Sequence, residues 1–135
     1  MSEPRIGVGV MIVQDGRVLM ARRVSGQRTG WYGWIGGKLE FDETLQACAR
    51  REAREEAGLE LANLRLLCVS SIIVHDQHWL DIEFLADIAS GTPRAAAPDE
   101  IDDWAWYPLD ALPDPIFEPA QLALEAYRTG NLLNE

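Results

Sequence analysis

The chain has 135 residues, 47% of them hydrophobic and 25% charged, which fits one globular domain with a single core. Its net charge of −10 disfavours DNA or RNA as a partner, whereas a small anion bridged to carboxylates by metal ions stays compatible with it. No apolar run approaches the roughly 18 residues of a membrane span, and residues 1–5 lack a signal-peptide layout. We therefore expect a cytoplasmic protein without a membrane partner.

The apolar pattern predicts strands and helices in irregular alternation. Two strands, over residues 5–13 and 18–22, flank an Asp15-Gly16 hairpin turn. A loop rich in glycine, arginine and aromatic residues follows from Arg23 to Gly37. Further on we predict a helix over 45–57, a strand over 64–74, a turn over 75–78, a strand over 79–88, a loop over 91–98, a short strand over 104–107 and a closing helix over 119–128. This order indicates an α/β layered domain with a mixed sheet.

The helix over 45–57 carries carboxylates where an amphipathic helix has apolar side chains. Its apolar face comprises Leu45, Cys48, Ala49 and Ala53. Glu52 and Glu56, four residues apart, continue that face, and Glu55 lies at its edge. Converging carboxylates are the usual ligands of hard cations such as Mg²⁺, Mn²⁺ or Ca²⁺. A solvated acidic face held by Arg–Glu pairs is the alternative that the helix alone leaves open.

A longer motif surrounds this helix. Gly37 is followed after five residues by Glu43 and after seven more by residues 51–59, which read R-E-A-R-E-E-A-G-L. This resembles the Nudix box, with all seven fixed identities present. Ala53 is small for its position, and Ile35 stands where the family commonly has proline. The resemblance implies a single Nudix domain over residues 1–135 with its box at 37–59, folded as an α/β/α sandwich with a mixed β-sheet and a catalytic loop-helix.

The resemblance also implies roles for individual residues. Glu55 and Glu56 match metal-binding carboxylates, and Glu52 matches a further ligand or the base for the attacking water. Glu43 and Arg51 match a pair that holds the loop against the helix. The implied cofactor is Mg²⁺, with Mn²⁺ as the alternative.

Further ligands are expected outside the box. The resemblance places a backbone ligand at the carbonyl of Gly36 and an extra carboxylate at Glu100, with Glu83 on the preceding strand as the fallback. A purely solvated acidic run over residues 99–103 is the alternative for Glu100.

Four residues are candidates for binding substrate. Arg23 and Lys38 flank the loop and carry charges that suit phosphate oxygens, although both also fit a solvated surface. Trp34 is a candidate for stacking on a nucleobase, although tryptophans are more often packing residues. His78 is the fourth candidate, and its alternative is a place in a hairpin turn.

The resemblance implies a hydrolase that cuts a diphosphate linkage in a small nucleotide-like molecule. The run over residues 36–41 and the compact length look like the MutT-like branch, which converts nucleoside triphosphates to the monophosphate and pyrophosphate. Nucleotide sugars, ADP-ribose and dinucleoside polyphosphates are alternative substrates. A non-catalytic, nucleotide-sensing Nudix-like module is an alternative of another class, and the family also allows a homodimer.

Overall fold

A computed structural model describes residues 3–135 of the chain. Met1 and Ser2 lie outside the described residues. They begin the expected domain over residues 1–135 and the N-terminal segment that lacks a signal-peptide layout. Residues 3–135 form eight strands and two helices. The strands are β1 (Arg5–Gln14), β2 (Arg17–Arg22), β3 (Tyr32–Gly33), β4 (Ile35–Lys38), β5 (Glu60–Val74), β6 (Gln77–Ser90), β7 (Ala105–Pro108) and β8 (Leu133–Asn134). The helices are α1 (Leu45–Ala57) and α2 (Glu118–Thr129).

The strands form one mixed sheet in the order β3-β2-β1-β6-β5-β8, with β4 also beside β1 and β7 beside β2. The long hairpin of β5 and β6 is antiparallel, and β6 runs parallel to β1. The other side of β1 is divided between two partners. Gly7–Val10 pairs with β4, and Val13 and Gln14 pair with β2. This division places the glycine-rich strand β4 directly beside β1.

The two helices cover opposite faces of the sheet. Side chains alternate along β1, so its successive residues face different helices. Val8, Val10 and Ile12 belong to one buried cluster with the apolar residues of α1. Met11 belongs to a second cluster with the apolar residues of α2. Cys48 and Cys68 are buried free thiols. The α/β/α sandwich predicted from the sequence is thereby confirmed.

Several predicted bounds are wrong. The predicted loop from Arg23 to Gly37 contains β3 and the start of β4, because β2 and β1 respectively supply hydrogen-bond partners that no local pattern reveals. Both long strands extend further than predicted, so the turn between them shortens to His75 and Asp76. No helix in residues 3–135 is long and apolar enough to cross a bilayer.

Candidate active site

The helix α1 begins and ends where its capping residues predict. Thr44 Oγ1 accepts a hydrogen bond from the backbone N–H of Ala47 at 3.1 Å, which satisfies one free donor of the first turn. Gly58 follows the helix in the left-handed conformation, with φ of 68°. These fixed ends set the rotation of the helix, so that Glu52 and Glu56 face inward with exposures of only 9% and 5%.

Glu56 is joined to the glycine-rich strand. Its Oε1 accepts a hydrogen bond from the backbone N–H of Gly36 at 2.9 Å, while its backbone carbonyl accepts one from Nε1 of Trp104. Burial raises the pKa of Glu56 to about 9, and the charges of Glu52 and Glu100 add to that effect. A single backbone donor does not offset this desolvation, so the site favours an additional positive charge.

Glu52 occupies space that the absence of a side chain at Gly37 leaves free. A Cβ built on Gly37 would lie 2.4 Å from Cδ of Glu52. Arg51 Nη1 donates to Oε1 of Glu52 at 2.6 Å. Even so, burial raises the pKa of Glu52. The glycine is therefore required for the carboxylate to pack against β4.

Arg51 joins the loop before the helix to the helix itself. It donates two hydrogen bonds to the carboxylate of Glu43, at 2.6 and 3.0 Å. It also donates to the carbonyl of Lys38 at 3.2 Å and to Glu55 at 3.3 Å. The bonds from Arg51 lower the pKa of Glu43 to about 2, so this pair is ionised at neutral pH.

Within residues 3–135, no three His, Cys, Asp or Glu side chains are already arranged to hold a metal ion. The two buried glutamates of α1 have other partners instead. Glu52 is turned towards Arg51, and Glu56 is turned towards the backbone of Gly36. The side chain of Glu55 is 54% exposed and is paired with Arg51. Two buried carboxylates with raised pKa values, beside a third that is exposed, nevertheless suit a divalent cation in charge and ligand type.

The structure separates the two candidates for the extra carboxylate. The charge of Glu100 contributes to the raised pKa values of Glu52 and Glu56, which places it near the acidic face of α1. Glu83 instead is enclosed on β6, where it accepts a hydrogen bond from Nε1 of Trp34 at 2.8 Å. The geometry favours Glu100 as the expected partner of the helix carboxylates.

A cavity of about 350 Å³ opens beside β4 and the start of α2. Its floor lies at Gly7 and Gly9 of β1, whose missing side chains leave room for Asp81 and Glu83 of β6. Arg23, Lys38 and Trp34 all line it, so the structure brings three of the four substrate candidates together. Its volume falls within the roughly 300–1,000 Å³ of small-molecule sites.

Arg23 is fixed in place at this cavity. Its guanidinium lies over the ring of Phe117, with 4.1 Å from Cζ to the ring centre, and its Nε donates to the carbonyl of Gln27 at 3.0 Å. Burial lowers the pKa of Arg23, whereas the nearby charges of Glu56 and Glu100 raise it. Because arginine stays protonated in proteins, this side chain brings a positive charge to the wall between the cavity and the acidic helix.

The structure does not bring His78 to the cavity. Because side chains alternate along β6, Gln77 and Trp79 line the cavity while His78 points away from it. The Nε2 atom of His78 lies 3.0 Å from Oγ of Ser71, and the ring lines a separate small depression with His75.

Sequence reasoning missed most of the cavity residues, among them Asp81, Phe117 and Glu118. The available signal was the Gly-x-Gly pattern at Gly7 and Gly9, which marks a strand with an open face.

Comparison with known proteins identifies a family and several relatives of this chain. The NUDIX domain matches residues 3–127. The NAD-capped RNA hydrolase NudC of Vibrio atlanticus (strain LGP32) is 35% identical over 112 residues, which cover 78% of this chain and 38% of that protein. The oxidized purine nucleoside triphosphate hydrolase of Mus musculus is 32% identical over 115 residues, covering 84% of this chain and 72% of that protein.

A solved MutT NUDIX hydrolase from Burkholderia pseudomallei is 37% identical, with a TM-score of 0.89, covering 93% of this chain and 98% of the other. This chain spans about two fifths of the length of the NudC relatives that it matches. Because those relatives are named for an RNA substrate, the expectation of no nucleic-acid partner stays a prediction.

Proposed function

The chain belongs to the NUDIX domain family, and from this premise we propose that it is a metal-dependent hydrolase that cuts a diphosphate linkage in a nucleotide-like substrate. One observation carries the proposal. Glu52 and Glu56 are buried side by side against the backbone of Gly36 and Gly37, with raised pKa values. Burying two carboxyl groups side by side costs folding free energy, so this arrangement favours a functional role over a structural one.

The proposed metal ligands are four carboxylates and one backbone carbonyl, those of Glu52, Glu55, Glu56, Glu100 and Gly36. All are oxygen donors, the type that Mg²⁺ prefers and Mn²⁺ also accepts. Such ions neutralise charge on phosphate oxygens and lower the pKa of a bound water.

The chain's own groups divide the remaining work. Glu52 is the proposed base because burial raises its pKa and so strengthens it as a proton acceptor. Glu43 and Arg51 position it, since Arg51 contacts Glu52 directly and is itself held by Glu43. On the cavity side, Arg23 and Lys38 are placed to bind phosphate oxygens, and Trp34 contributes to the surface that meets the base.

The proposed substrate is a nucleoside triphosphate or a modified one, cleaved to the monophosphate and pyrophosphate. The cavity fits a nucleoside portion, and its wall towards the acidic helix carries the arginine and lysine that a phosphate chain needs. Similarity to oxidized purine nucleoside triphosphate hydrolases from mouse and Danio rerio supports this choice.

A second candidate is a substrate that joins two nucleotides through its phosphates, such as a dinucleoside polyphosphate. The 35% identity to relatives named for NAD-capped RNA favours it, because NAD is itself a dinucleotide.

Product analysis tests the proposal. Triphosphates, dinucleoside polyphosphates, nucleotide sugars and ADP-ribose are incubated with Mg²⁺ in ¹⁸O-water, and mass spectrometry locates the label. Monophosphate and pyrophosphate from a triphosphate, with one product labelled, support the leading candidate and identify the phosphorus attacked. Inert triphosphates beside a cleaved dinucleotide favour the second candidate. If nothing is cleaved although a nucleotide binds tightly in calorimetry, the chain is a sensing module and the enzymatic proposal fails.

A further inference from the structure

One arginine of the cavity lies near three carboxylates and contacts none of them. Burial lowers the pKa of Arg23, and three nearby charges act in the opposite direction, those of Glu56, Glu100 and Glu118. The backbone agrees, since the N–H of Val24 donates to the carbonyl of Glu100 at 3.0 Å. Within residues 3–135, no hydrogen bond or ion pair joins the guanidinium of Arg23 to any of these carboxylates. This is unusual, because arginine and carboxylate form strong paired hydrogen bonds when they meet.

Uncharged groups hold Arg23 instead. Its Cζ lies 4.1 Å from the centre of the Phe117 ring, and its Nε donates to the carbonyl of Gln27 at 3.0 Å. A planar guanidinium is attracted to the face of an aromatic ring. The ring therefore keeps the positive charge at the cavity wall without neutralising it.

Phe117 stands at a helix position that ordinarily takes a different kind of residue. It is the N-cap of α2, where Ser, Thr, Asp or Asn would accept a hydrogen bond from the first turn, and its side chain makes no such bond. Its backbone is held on both sides, because its N–H donates to the carbonyl of Tyr32 at 2.8 Å and its carbonyl accepts from the N–H of Gln121 at 3.0 Å. The side chain thus does nothing for the helix, and its ring is fixed beside Arg23.

Loss of the ring would release the guanidinium among opposite charges. Glu56 and Glu100 are both proposed metal ligands, and they are among the carboxylates nearest to Arg23. An arginine bound to them would occupy the oxygens that a cation needs, because both ligands are positive and use the same lone pairs.

We propose that Phe117 is a positioning residue, which holds the guanidinium of Arg23 away from the acidic face of α1. The carboxylates of Glu56 and Glu100 thereby stay open to a metal ion. This inference rests on the proposed metal-dependent function and adds a residue through which α2 keeps the metal site accessible.

Calorimetry with Mn²⁺ alone tests the inference without substrate or turnover. Phe117→Leu keeps an apolar side chain but removes the aromatic face, and we expect the dissociation constant for Mn²⁺ to rise at least about fivefold. Phe117→Tyr keeps the face and should bind Mn²⁺ as the wild type does. Equal affinities of Phe117→Leu and the wild type would overturn the inference. Phe117→Met takes the place of Phe117→Leu if melting curves show that the latter does not fold.

A second background distinguishes positioning from a purely structural role. In Arg23→Gln no guanidinium remains to compete for the carboxylates, so adding Phe117→Leu should leave the affinity for Mn²⁺ unchanged. A loss as large as in the wild-type background would show that Phe117 acts only through the fold, and it would overturn the inference.

Trp31→Leu is the matched control, because the ring of Trp31 lies against a different arginine. The Cζ atom of Arg28 lies 5.0 Å from the centre of that ring, and Arg28 is already paired with Glu118. Its loss should not change Mn²⁺ binding, and a loss of affinity equal to that in Phe117→Leu would contradict the inference. A wild type that binds no Mn²⁺ would contradict the proposed function and this inference together, whereas one that binds Mn²⁺ and tolerates Phe117→Leu contradicts the inference alone.

Discussion

The backbone N–H of Gly36 donates a hydrogen bond to Oε1 of Glu56 across 2.9 Å. This contact joins β4, which borders the cavity, to α1, which carries the proposed metal ligands. The carbonyl of Gly36 is also a proposed metal ligand. Gly36 therefore has two roles in this account, one through its N–H and one through its carbonyl oxygen. The position of β4 therefore controls how the cavity and the carboxylates meet.

Replacing Glu56 with Gln should separate catalysis from folding. The amide still accepts from Gly36 but loses the charge that a cation requires, so we expect turnover to fall at least about 10²-fold. The metal-free variant should melt at an equal or higher temperature, because burial raises the pKa of Glu56 and folding at neutral pH must protonate its carboxyl group, a cost that the amide does not carry. Kinetics and thermal melts check both effects. Glu60→Gln is the control, because Glu60 is exposed and pairs with Arg54. Unchanged turnover in Glu56→Gln would contradict the role of Glu56 as a metal ligand.

The stability of the metal-free protein should depend on pH through Glu56. The pKa of Glu56 rises from 4.5 to about 9 on folding, so the folded protein holds this proton more tightly than the unfolded chain. The stability that protonated Glu56 allows is therefore fully present below pH 4.5 and is lost as the pH rises through about 9. The melting temperature should fall across this window. Glu43, whose pKa is lowered to about 2, contributes in the opposite sense and changes only below 4.5.

Melts of the wild type and of Glu56→Gln across the same pH range test that assignment. The melting temperature should fall less in Glu56→Gln than in the wild type. The fall that remains in the variant is due to Glu52, whose pKa is also raised. An identical decline in both proteins would show that Glu56 is not the group responsible.

Gly37→Ala should disturb the site more than the fold. The new Cβ would meet the carboxylate of Glu52, whose flexible end can rotate away, so stability should change little while turnover falls. Gly33→Ala is a matched control, because there a Cβ makes ordinary contacts with Phe117 at 3.6 Å. Steady-state rates and melts of both variants decide the point. Full turnover in Gly37→Ala would show that catalysis does not require Glu52 to pack against β4.

Base selectivity should depend on Trp34 and not on His78. Trp34 lines the cavity and holds Glu83, whereas His78 points away from that cavity. We expect Trp34→Ala to change the ranking of nucleotides by kcat/KM, and His78→Ala to leave it unaltered. A changed ranking in His78→Ala would indicate that the substrate reaches the other face of β6.

The catalytic helix could be predicted from the sequence because its determinants are local. Thr44, Gly58 and the spacing of the glutamates all lie within one short segment, and the structure has the helix at the predicted residues 45–57. The pairing of Glu43 with Arg51 was likewise predictable from the motif. Local signals of this kind need no knowledge of the tertiary fold.

The cavity could not be predicted, because it depends on strands that are distant in the sequence. Asp81 and Gly7 become neighbours only through the parallel pairing of β6 with β1. The strand β4 exists because β1 bonds to it, although its Gly36 and Gly37 argue against a strand. His78 shows the same limit, because the register of β6 decides which side of the sheet it faces.

Removal of metal tests the central claim most directly. Protein stripped of bound ions is assayed for cleavage of nucleotide diphosphate linkages in excess chelator, and again after Mg²⁺ or Mn²⁺ is added back. We predict no cleavage in chelator and its return with Mg²⁺, because Glu52, Glu55 and Glu56 together need a cation to engage phosphate. Full turnover in chelator would contradict the account.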